Sequence, residues 1–402
     1  MSSIAFDLDL TDTEREIQRT IHRFAEEVIR PAGQELDRMP DPDDTIAPGS
    51  IMWRVLEQYA ALGIDEFVAG DSDLTPMQHA RIRAIINEEL GWGDAGLALV
   101  VSSCGGGMAG WLAQATGNVE LMERYAPGNT EIGCWAITEP DHGSDVLALT
   151  ESHFSDPDVK ANCIARRDGD DYVIRGQKSS WVSAAPIATV MGLYCTIEGD
   201  RGFEGGGIAL IPMDTPGVAR GRVLDKVGQR SMPQGEVFFD DVRIPKNQMV
   251  YGQDEYAAVL RATLTMANSW MGVTFAGVAR SAFDLANQYA KDRVQGGRPI
   301  NQHQSVKLRL FDMFRKVETA STLARKAFVF NTASEGELHF AIASKTYATR
   351  VAFDVASEAL QIFGGNGLSR EYPIEKIMRD ARASMIEDGC NEVLSIVGAS
   401  QL

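Results

Sequence analysis

The chain has 402 residues, of which 44% are hydrophobic and 23% charged, and its net charge at pH 7 is −18. This length allows a large buried core and more than one domain, and the negative charge disfavours binding to nucleic acids or to anionic membranes. Five widely spaced cysteines without a CxxC pair favour a reduced compartment and suggest no zinc site. The first residues do not resemble a secretory signal, and no apolar run reaches the roughly 18 residues that span a bilayer. A cytoplasmic protein without a membrane span is therefore expected.

Residues 1–130 are predicted to form a helical domain. Thr11 is a candidate N-cap with acidic residues in the following turn, and apolar residues recur at helical spacing from Ile17 to Val28. Further helical pattern covers 52–62 and 77–90. The glycines at 105–107 either end a helix or let two backbones approach closely.

The character of the chain changes near residue 131. Residues 131–246 contain short β-type runs separated by Gly, Pro and Asp, such as DYVIRG and GGIALIPM, which predict an antiparallel sheet or barrel. Helical periodicity returns over 247–402, and no proline interrupts 257–294. The prediction is an α+β fold of mostly α content, ordered helix, sheet, helix.

Five segments are richer in polar residues and glycine than packing alone explains. The first combines hydroxyls, backbone amides and small residues suited to wrapping a polar ligand, and the second has a tryptophan and a hydroxyl that would frame a flavin ring. The segments are CWAITEPDHGSD (134–145), GQKSSWVSAAPIA (176–188), VGQRSMPQGEVFFDDVRIPKNQMV (227–250), YAKDRVQGGRPINQHQ (289–304) and the run from QIFGGNG to GCNEV (361–393). In this order and at these spacings, the chain resembles the acyl-CoA dehydrogenase family over nearly its whole length.

The resemblance implies a fold and a cofactor. An N-terminal helical domain and a C-terminal four-helix bundle would flank a central β-barrel or sheet, with FAD extended between barrel and bundle and reaching a neighbouring subunit. Homo-oligomers, dimers or tetramers, would be usual. The implied substrate is an acyl-CoA, and the implied electron acceptor is an electron-transfer flavoprotein.

The implied reaction is the α,β-dehydrogenation of a thioester. A carboxylate would remove the α-proton, hydrogen bonds would stabilise the charge that develops on the thioester carbonyl, and flavin N5 would accept the β-hydride. Because no amino-acid side chain accepts a hydride reversibly, such chemistry needs a redox cofactor.

The resemblance also assigns residues to the ligands. Each has an ordinary alternative as a turn residue, a core tryptophan, a helix-ending glycine or a solvated arginine. Ser144 and Gly389 match substrate contacts, and Arg293 and Gln304 match contacts to the FAD of the adjacent subunit. The positions that match cofactor contacts are Thr138, Ser144, Trp181, Ser183, Arg293, Gln304, Gln361, Gly364, Gly365, Cys390 and Glu392.

The base position departs from the family. The family commonly has a Tyr-Glu-Gly-Thr run in which the glutamate is the base, and the ungapped match places Asp388 there, with Glu387 as the second choice. Aspartate is one methylene shorter, about 1.3 Å of reach, and two adjacent carboxylates raise one another's pKa. A solvated pair of loop acids is the alternative interpretation. Arg379 and Asp380, earlier in the same segment, are expected to form a structural ion pair.

Three other functions use the same scaffold. A nitroalkane-oxidase-like flavoprotein oxidase is similar in fold and has an aspartate base, as Asp388 would be. A variant that eliminates or decarboxylates a CoA thioester is the second. A non-enzymatic flavoprotein that binds a partner or DNA is the third, and the net charge of −18 opposes DNA.

Overall fold

The computed structural model describes residues 10–64, 74–102, 107–125, 131–159 and 161–402. Two of the three glycines at 105–107 lie outside these ranges, and the third, Gly107, begins a helix. Up to residue 125, the helices in the described ranges are α1 (Asp12–Phe24), α2 (Arg30–Arg38), α3 (Ile51–Ala60), α4 (Pro76–Gly93), α5 (Ala95–Ser102), α6 (Gly107–Thr116) and α7 (Val119–Arg124).

The predicted start of α1 is confirmed. The Thr11 hydroxyl accepts the Glu14 N–H at 3.2 Å, and the Glu14 carboxylate accepts the Thr11 N–H at 2.7 Å. This reciprocal capping box satisfies backbone donors that have no partner within the helix. A π-helical turn, Ala25–Ile29, continues α1 into α2.

A mixed sheet follows the amino-terminal helices. Its strands are β1 (Gly133–Ala136), β2 (Ile164–Asp168), β3 (Asp171–Ser183), β4 (Val190–Ile197), β5 (Gly206–Pro212), β6 (Val218–Arg220), β7 (Gln234–Pro245) and β8 (Met249–Tyr251). The order is β6-β7-β3-β2-β4-β5-β8, with β1 also on β4. Most pairs are antiparallel as predicted, but β1 and β2 both run parallel to β4. Because β1 pairs with 190–193 and β2 with 196–197, the two strands follow one another along β4.

The carboxyl-terminal part is again helical. Its helices are α8 (Tyr256–Asp292), α9 (Gln304–Ala333), α10 (Leu338–Phe363), α11 (Ile374–Ser384) and α12 (Asn391–Ala399), and a two-stranded hairpin, β9 (Val294–Gln295) with β10 (Arg298–Pro299), follows α8. The long α8 packs against α4, α9 and α10, so it forms the centre of the helical core. The predicted fold class, with helical parts on either side of a sheet, is confirmed.

Helices α4 and α8 cross at unusually short range because of two glycines. A Cβ atom added at Gly91 would lie 2.1 Å from the Thr274 carbonyl oxygen, and one at Gly277 would lie 2.0 Å from the Glu88 carbonyl oxygen. Only a residue without a side chain lets the two backbones meet in this way.

The first prediction concerns this crossing. We expect Gly91→Ala to lower the free energy of unfolding by about 1–3 kcal/mol, because the added methyl group forces two packed helices apart. Gly252→Ala is the matched control, since its Cβ would lie no closer than 3.6 Å to any side chain. Urea denaturation of the two variants measures the difference, and equal midpoints would show that the crossing relaxes without cost.

Candidate active site

The loop that follows β1 is fixed to strand β3 by a buried ion pair. The Lys178 ammonium donates to the Glu139 carboxylate at 2.7 Å and to the Ile137 carbonyl at 2.8 Å, and both charged side chains are almost fully buried. Beside them, the hydroxyls of Thr138 and Ser179 lie 2.8 Å apart. The first and second sequence segments therefore form one unit, in which Glu139 and Lys178 hold Thr138 in place.

Trp181 and Ser183 lie at the end of β3. The Trp181 side chain is 58% exposed, which is a high value for a tryptophan. The Gln234 carboxamide donates to the Trp181 carbonyl at 3.2 Å and to the Ser183 hydroxyl at 3.1 Å. This arrangement presents an indole surface beside a fixed hydroxyl, as a planar ligand would require.

The predicted base lies on a tight turn between α11 and α12. Asp388 and Gly389 both adopt left-handed backbone conformations, with φ of 49° and 94°. The next residue, Cys390, donates its N–H to the Ser144 hydroxyl at 2.9 Å. This bond joins the turn to the loop after β1, so the structure brings the predicted base together with the first sequence segment.

The two carboxylates of the turn differ in their surroundings. The side chain of Asp388 is exposed to solvent, whereas Glu387 beside it is half-buried. Burial raises the pKa of Asp388 above its ordinary value, and the Lys345 ammonium opposes this shift. Burial raises the pKa of Glu387 to about 8, with Lys226 opposing and Asp388 adding to the shift. At neutral pH Glu387 is therefore mostly protonated, and its side chain is less accessible than that of Asp388.

A second group of predicted residues lies at the end of the helical bundle. Arg293 ends α8 and Gln304 begins α9, and both side chains are exposed. Nearby, the ring of Tyr289 stacks on that of Phe363, with 4.1 Å between the ring centroids. This contact places the end of α8 against the glycine turn that follows α10. That turn carries the remaining predicted contacts, Gln361, Gly364 and Gly365, all of them exposed.

The two adjacent glycines of this turn differ in whether the fold explains them. Gly364 has a φ of 62°, so its backbone conformation accounts for the glycine. Gly365 has no such conformation, and a Cβ built on it would meet no atom within 4 Å. Nothing in the fold itself requires glycine at 365. A ligand whose phosphate or chain lies against the turn would require it, because it would leave no room for a side chain. The surface at Gly365 and the exposed indole of Trp181 thus fit an extended, partly planar cofactor.

Two further predicted contacts lie on the turn and on the helix that follows it. Cys390 is half-buried and precedes α12 as its N-cap residue, and Glu392 is exposed in the first turn of that helix. Gly389 is buried, with the Leu394 side chain against it. Cys390 thus lies where its N–H bonds to the Ser144 hydroxyl, and Glu392 faces solvent.

The polar groups that support this site were not predicted from the sequence. Lys345 on α10 is fully buried and contacts the turn that carries Asp388. The Lys226 ammonium donates to the Gln234 carboxamide at 2.5 Å, and Gln234 in turn holds Ser183. A helical spacing would have revealed Lys345, because it lies four residues after Ala341 on the buried face of α10.

The expectation that Arg379 pairs with Asp380 is wrong. Adjacent residues of a helix point in different directions and seldom face one another. Arg379 instead pairs with Asp37 at 2.8 Å and with Glu375 at 2.7 Å. Asp380 pairs with Lys376 at 2.5 Å. Arg379 and Asp380 therefore both form structural ion pairs, but with other partners than each other.

Among the described residues, three or more His, Cys, Asp or Glu side chains nowhere gather as a metal ion would need. Within the same ranges, helices with the length and apolar character to cross a membrane are absent.

Comparison with known proteins supports the arrangement of the three parts. Residues 11–131, 134–242 and 257–402 match the N-terminal, middle and C-terminal domains of acyl-CoA dehydrogenase, respectively. The chain is 30% identical to benzylmalonyl-CoA dehydrogenase of Aromatoleum aromaticum over 98% of this chain and 99% of that protein.

Solved structures give the same result. Butyryl-CoA dehydrogenase of Megasphaera elsdenii has a TM-score of 0.82 and is 26% identical, with 98% of this chain and 99% of that chain covered. The FAD complex of PigA has a TM-score of 0.81 and is 25% identical, with 98% and 99% of the two chains covered.

Proposed function

Because this chain belongs to the acyl-CoA dehydrogenase family, flavoprotein dehydrogenases of CoA thioesters whose cofactor is FAD, we propose that it dehydrogenates an acyl-CoA between its α and β carbons with Asp388 as base. The observation that carries the proposal is the position of Asp388. Its side chain is exposed to solvent, and its turn is bonded through Cys390 and Ser144 to the loop after β1. A solvated pair of loop acids would not need this support.

The proposed role of Asp388 is to accept the α-proton. A general base works best when its pKa lies near the operating pH, and burial moves the pKa of this carboxyl upward from its ordinary range. Glu387, with a pKa of about 8, would remain mostly protonated beside it and would not compete at neutral pH. The two neighbouring acids therefore titrate as a coupled pair, with both pKa values raised by burial.

A donor for the thioester carbonyl is available on the same turn. Among the described residues, no acceptor is bonded to the backbone N–H of Asp388 or of Gly389. A backbone N–H aimed at the carbonyl oxygen would stabilise the negative charge that develops there as the α-proton leaves. A base and a donor on the same turn would fix the orientation of the thioester.

The cofactor would be held by both groups of residues. Thr138, Ser144, Trp181 and Ser183 would bind the flavin end, and the turn that contains Gly365 would receive the distal part of the molecule. When bound, FAD supplies the acceptor for the β-hydride. Cys390 and Glu392 complete the proposed set of cofactor contacts.

The distal contacts support a homo-oligomer, dimer or tetramer. Arg293 and Gln304 are exposed at the bundle end, where we infer that they contact the FAD of an adjacent subunit. An apolar surface on α9 supports this inference, since Leu308 is 68% exposed and Phe311 66% exposed at a helical spacing of three. Size-exclusion chromatography with light scattering tests the oligomeric state, and a monomer that holds FAD fully would contradict it.

We propose domain limits of 1–130, 131–246 and 247–402. They are supported by the change from helix to strand after residue 125 and back to helix at 256. Limited proteolysis tests them: nicks confined to the neighbourhood of 130 and 246 are expected.

Anaerobic titration with a panel of acyl-CoAs tests the proposed reaction. Straight, branched, cyclic and aromatic acyl groups belong in the panel, because the relative from Aromatoleum aromaticum is named for a benzylmalonyl substrate. Bleaching of the oxidised flavin band by at least one acyl-CoA is expected, followed by reoxidation on adding an electron-transfer flavoprotein. Bleaching by a nitroalkane and by no acyl-CoA, with rapid reoxidation by oxygen, would instead support the oxidase function that the aspartate base favours.

The second prediction concerns cofactor binding. We expect Gly365→Val to lower the flavin content of the purified protein several-fold without unfolding it, because the added side chain would occupy the surface against which the cofactor lies. The ratio of flavin to protein absorbance measures this loss, and circular dichroism checks the fold. A variant that retains full flavin would place the cofactor away from the turn.

A further inference from the structure

A lysine lies in the interior directly behind the predicted base. Lys345 is in the middle of α10 and has no measurable solvent exposure. An ammonium group without compensating bonds is costly to bury, so such a lysine is retained only where its donors and its charge are used. Its partners identify that use.

The Lys345 ammonium holds both ends of the turn that follows Asp388. It donates to the Gly389 carbonyl at 2.7 Å and to the Asn391 side-chain oxygen at 2.9 Å. Asn391 is itself fixed, because its side-chain nitrogen donates to the Thr349 hydroxyl at 3.1 Å. The turn is therefore anchored on α10 at two points, both through one lysine.

The turn needs such support because of its backbone conformation. Asp388 has a φ of 49°, in the left-handed region that residues with a Cβ seldom adopt. Gly389, with a φ of 94°, continues the same bend. Without an anchor, the turn would relax and the carboxylate of Asp388 would lose its direction.

Charge is the second contribution of this lysine. Of the charged groups around Asp388, the Lys345 ammonium is the one that lowers its pKa against the effect of burial. Lys226, from the loop after β6, acts on Glu387. The acidic groups that act on Lys345 are Asp388, Glu387, Cys390 and Glu392. Burial lowers the pKa of Lys345 to about 8, so the ammonium is mostly charged at neutral pH.

We propose that Lys345 is a positioning residue, whose buried ammonium holds the turn that carries Asp388 and balances the charge of that carboxylate. The proposal rests on the proposed function, in which Asp388 is the base. Lys345 does not touch the substrate; it acts through the Gly389 carbonyl, the Asn391 side chain and its field at Asp388.

The test separates this role from plain structural support by its pH dependence. In Lys345→Met the anchor and the charge are both absent, so burial raises the pKa of Asp388 unopposed. The acid limb of the rate of flavin reduction should move to higher pH, because a smaller fraction of Asp388 is ionised at pH 7. On the acid limb itself, a shift of one pH unit lowers the rate at a given pH by about tenfold, and the rate recovers as the pH rises.

Two further variants keep the test decisive. Lys345→Gln retains a hydrogen-bond donor for the turn but not the charge. It should therefore move the acid limb to higher pH as well. This variant replaces Lys345→Met in the test if the methionine variant fails to fold. Lys326→Met removes an exposed lysine of α9 and should leave the acid limb in place. A loss of rate by one factor at every pH in both Lys345 variants would overturn the proposal.

Infrared difference spectroscopy provides a measurement that does not depend on turnover. The carboxyl stretch that disappears in Asp388→Asn reports the protonation of Asp388, and its titration should move to higher pH in both Lys345 variants. An unchanged titration would show that the two groups do not interact. If no acyl-CoA bleaches the wild-type flavin, the proposed function fails, whereas this titration still decides whether Lys345 controls Asp388.

Discussion

An Asp388→Asn variant is expected to lose about 10²–10⁴-fold in the rate at which an acyl-CoA reduces its flavin, because an amide cannot accept the α-proton. Asparagine has nearly the size of aspartate and tolerates the left-handed φ of this position, so the turn should keep its shape. Anaerobic stopped-flow measurement of the flavin band gives the rate, and binding of the acyl-CoA should change little.

Glu387→Gln is the matched control for the base. Its neighbour carries the proton transfer in our proposal, and Glu387 is already mostly protonated at neutral pH, with a pKa of about 8. We therefore expect a change in rate of less than about tenfold, well below the contribution of a general base. The reverse pattern, with a large loss in Glu387→Gln and a small one in Asp388→Asn, would move the base one residue earlier.

The largest effect on stability is expected at a buried lysine that joins the three parts of the chain. The Lys376 ammonium on α11 contacts the Asp94 carboxylate, next to α4, and the Asp380 carboxylate. Asp94 also accepts the Ser231 hydroxyl at 2.5 Å, and Asp380 accepts the Gln229 N–H, both from the loop before β7. Lys376 and both carboxylates are nearly inaccessible to solvent.

We expect Lys376→Met to lower the free energy of unfolding by about 3–5 kcal/mol, because it leaves two buried carboxylates without their cation. The charge also sets the protonation of the cluster: burial and Asp94 raise the pKa of Asp380, whereas Lys376 lowers it. Urea denaturation followed by circular dichroism measures the loss.

Two controls show whether the loss comes from unpaired charge. The triple variant Asp94→Asn, Lys376→Met, Asp380→Asn has no buried charge at this point and should regain much of the lost stability. Lys316→Met breaks an ion pair with Asp312 whose two side chains are both more than one-third exposed, and it should change stability by less than about 1 kcal/mol. A Lys376→Met variant as stable as this surface control would mean that the cluster contributes nothing to the docking of the three parts.

Local patterns were sufficient to predict the elements of the fold. The capping residues at Thr11 and the proline-free pattern over 257–294 correspond to real helices, and the short β-type runs correspond to strands. The parallel pairing of β1 with β4 was not predictable in this way, since it depends on which strands meet after a long connection rather than on the residues within them. The close crossing at Gly91 likewise depends on two helices that are far apart in sequence.

The predicted site residues came from a resemblance, and the structure places them in two groups. Thr138 bonds to Ser179, about 40 residues away, and Ser144 bonds to the turn after Asp388, about 250 residues away, and no spacing rule would have brought these segments together. The supporting residues were missed for another reason. Lys345 looks like an ordinary polar residue in a helix, and only its place on an otherwise apolar face marks it as buried.

The left-handed turn at Asp388 also limits how the proposed base can be exchanged. Aspartate is among the few residues with a Cβ that enter this region at a modest cost, whereas a longer acid such as glutamate gains little from local hydrogen bonds there. Lengthening the base by one methylene would thus gain reach at the expense of backbone conformation. Redesign of this enzyme toward a glutamate base would have to rebuild the turn and its anchor on α10 before it changes the side chain.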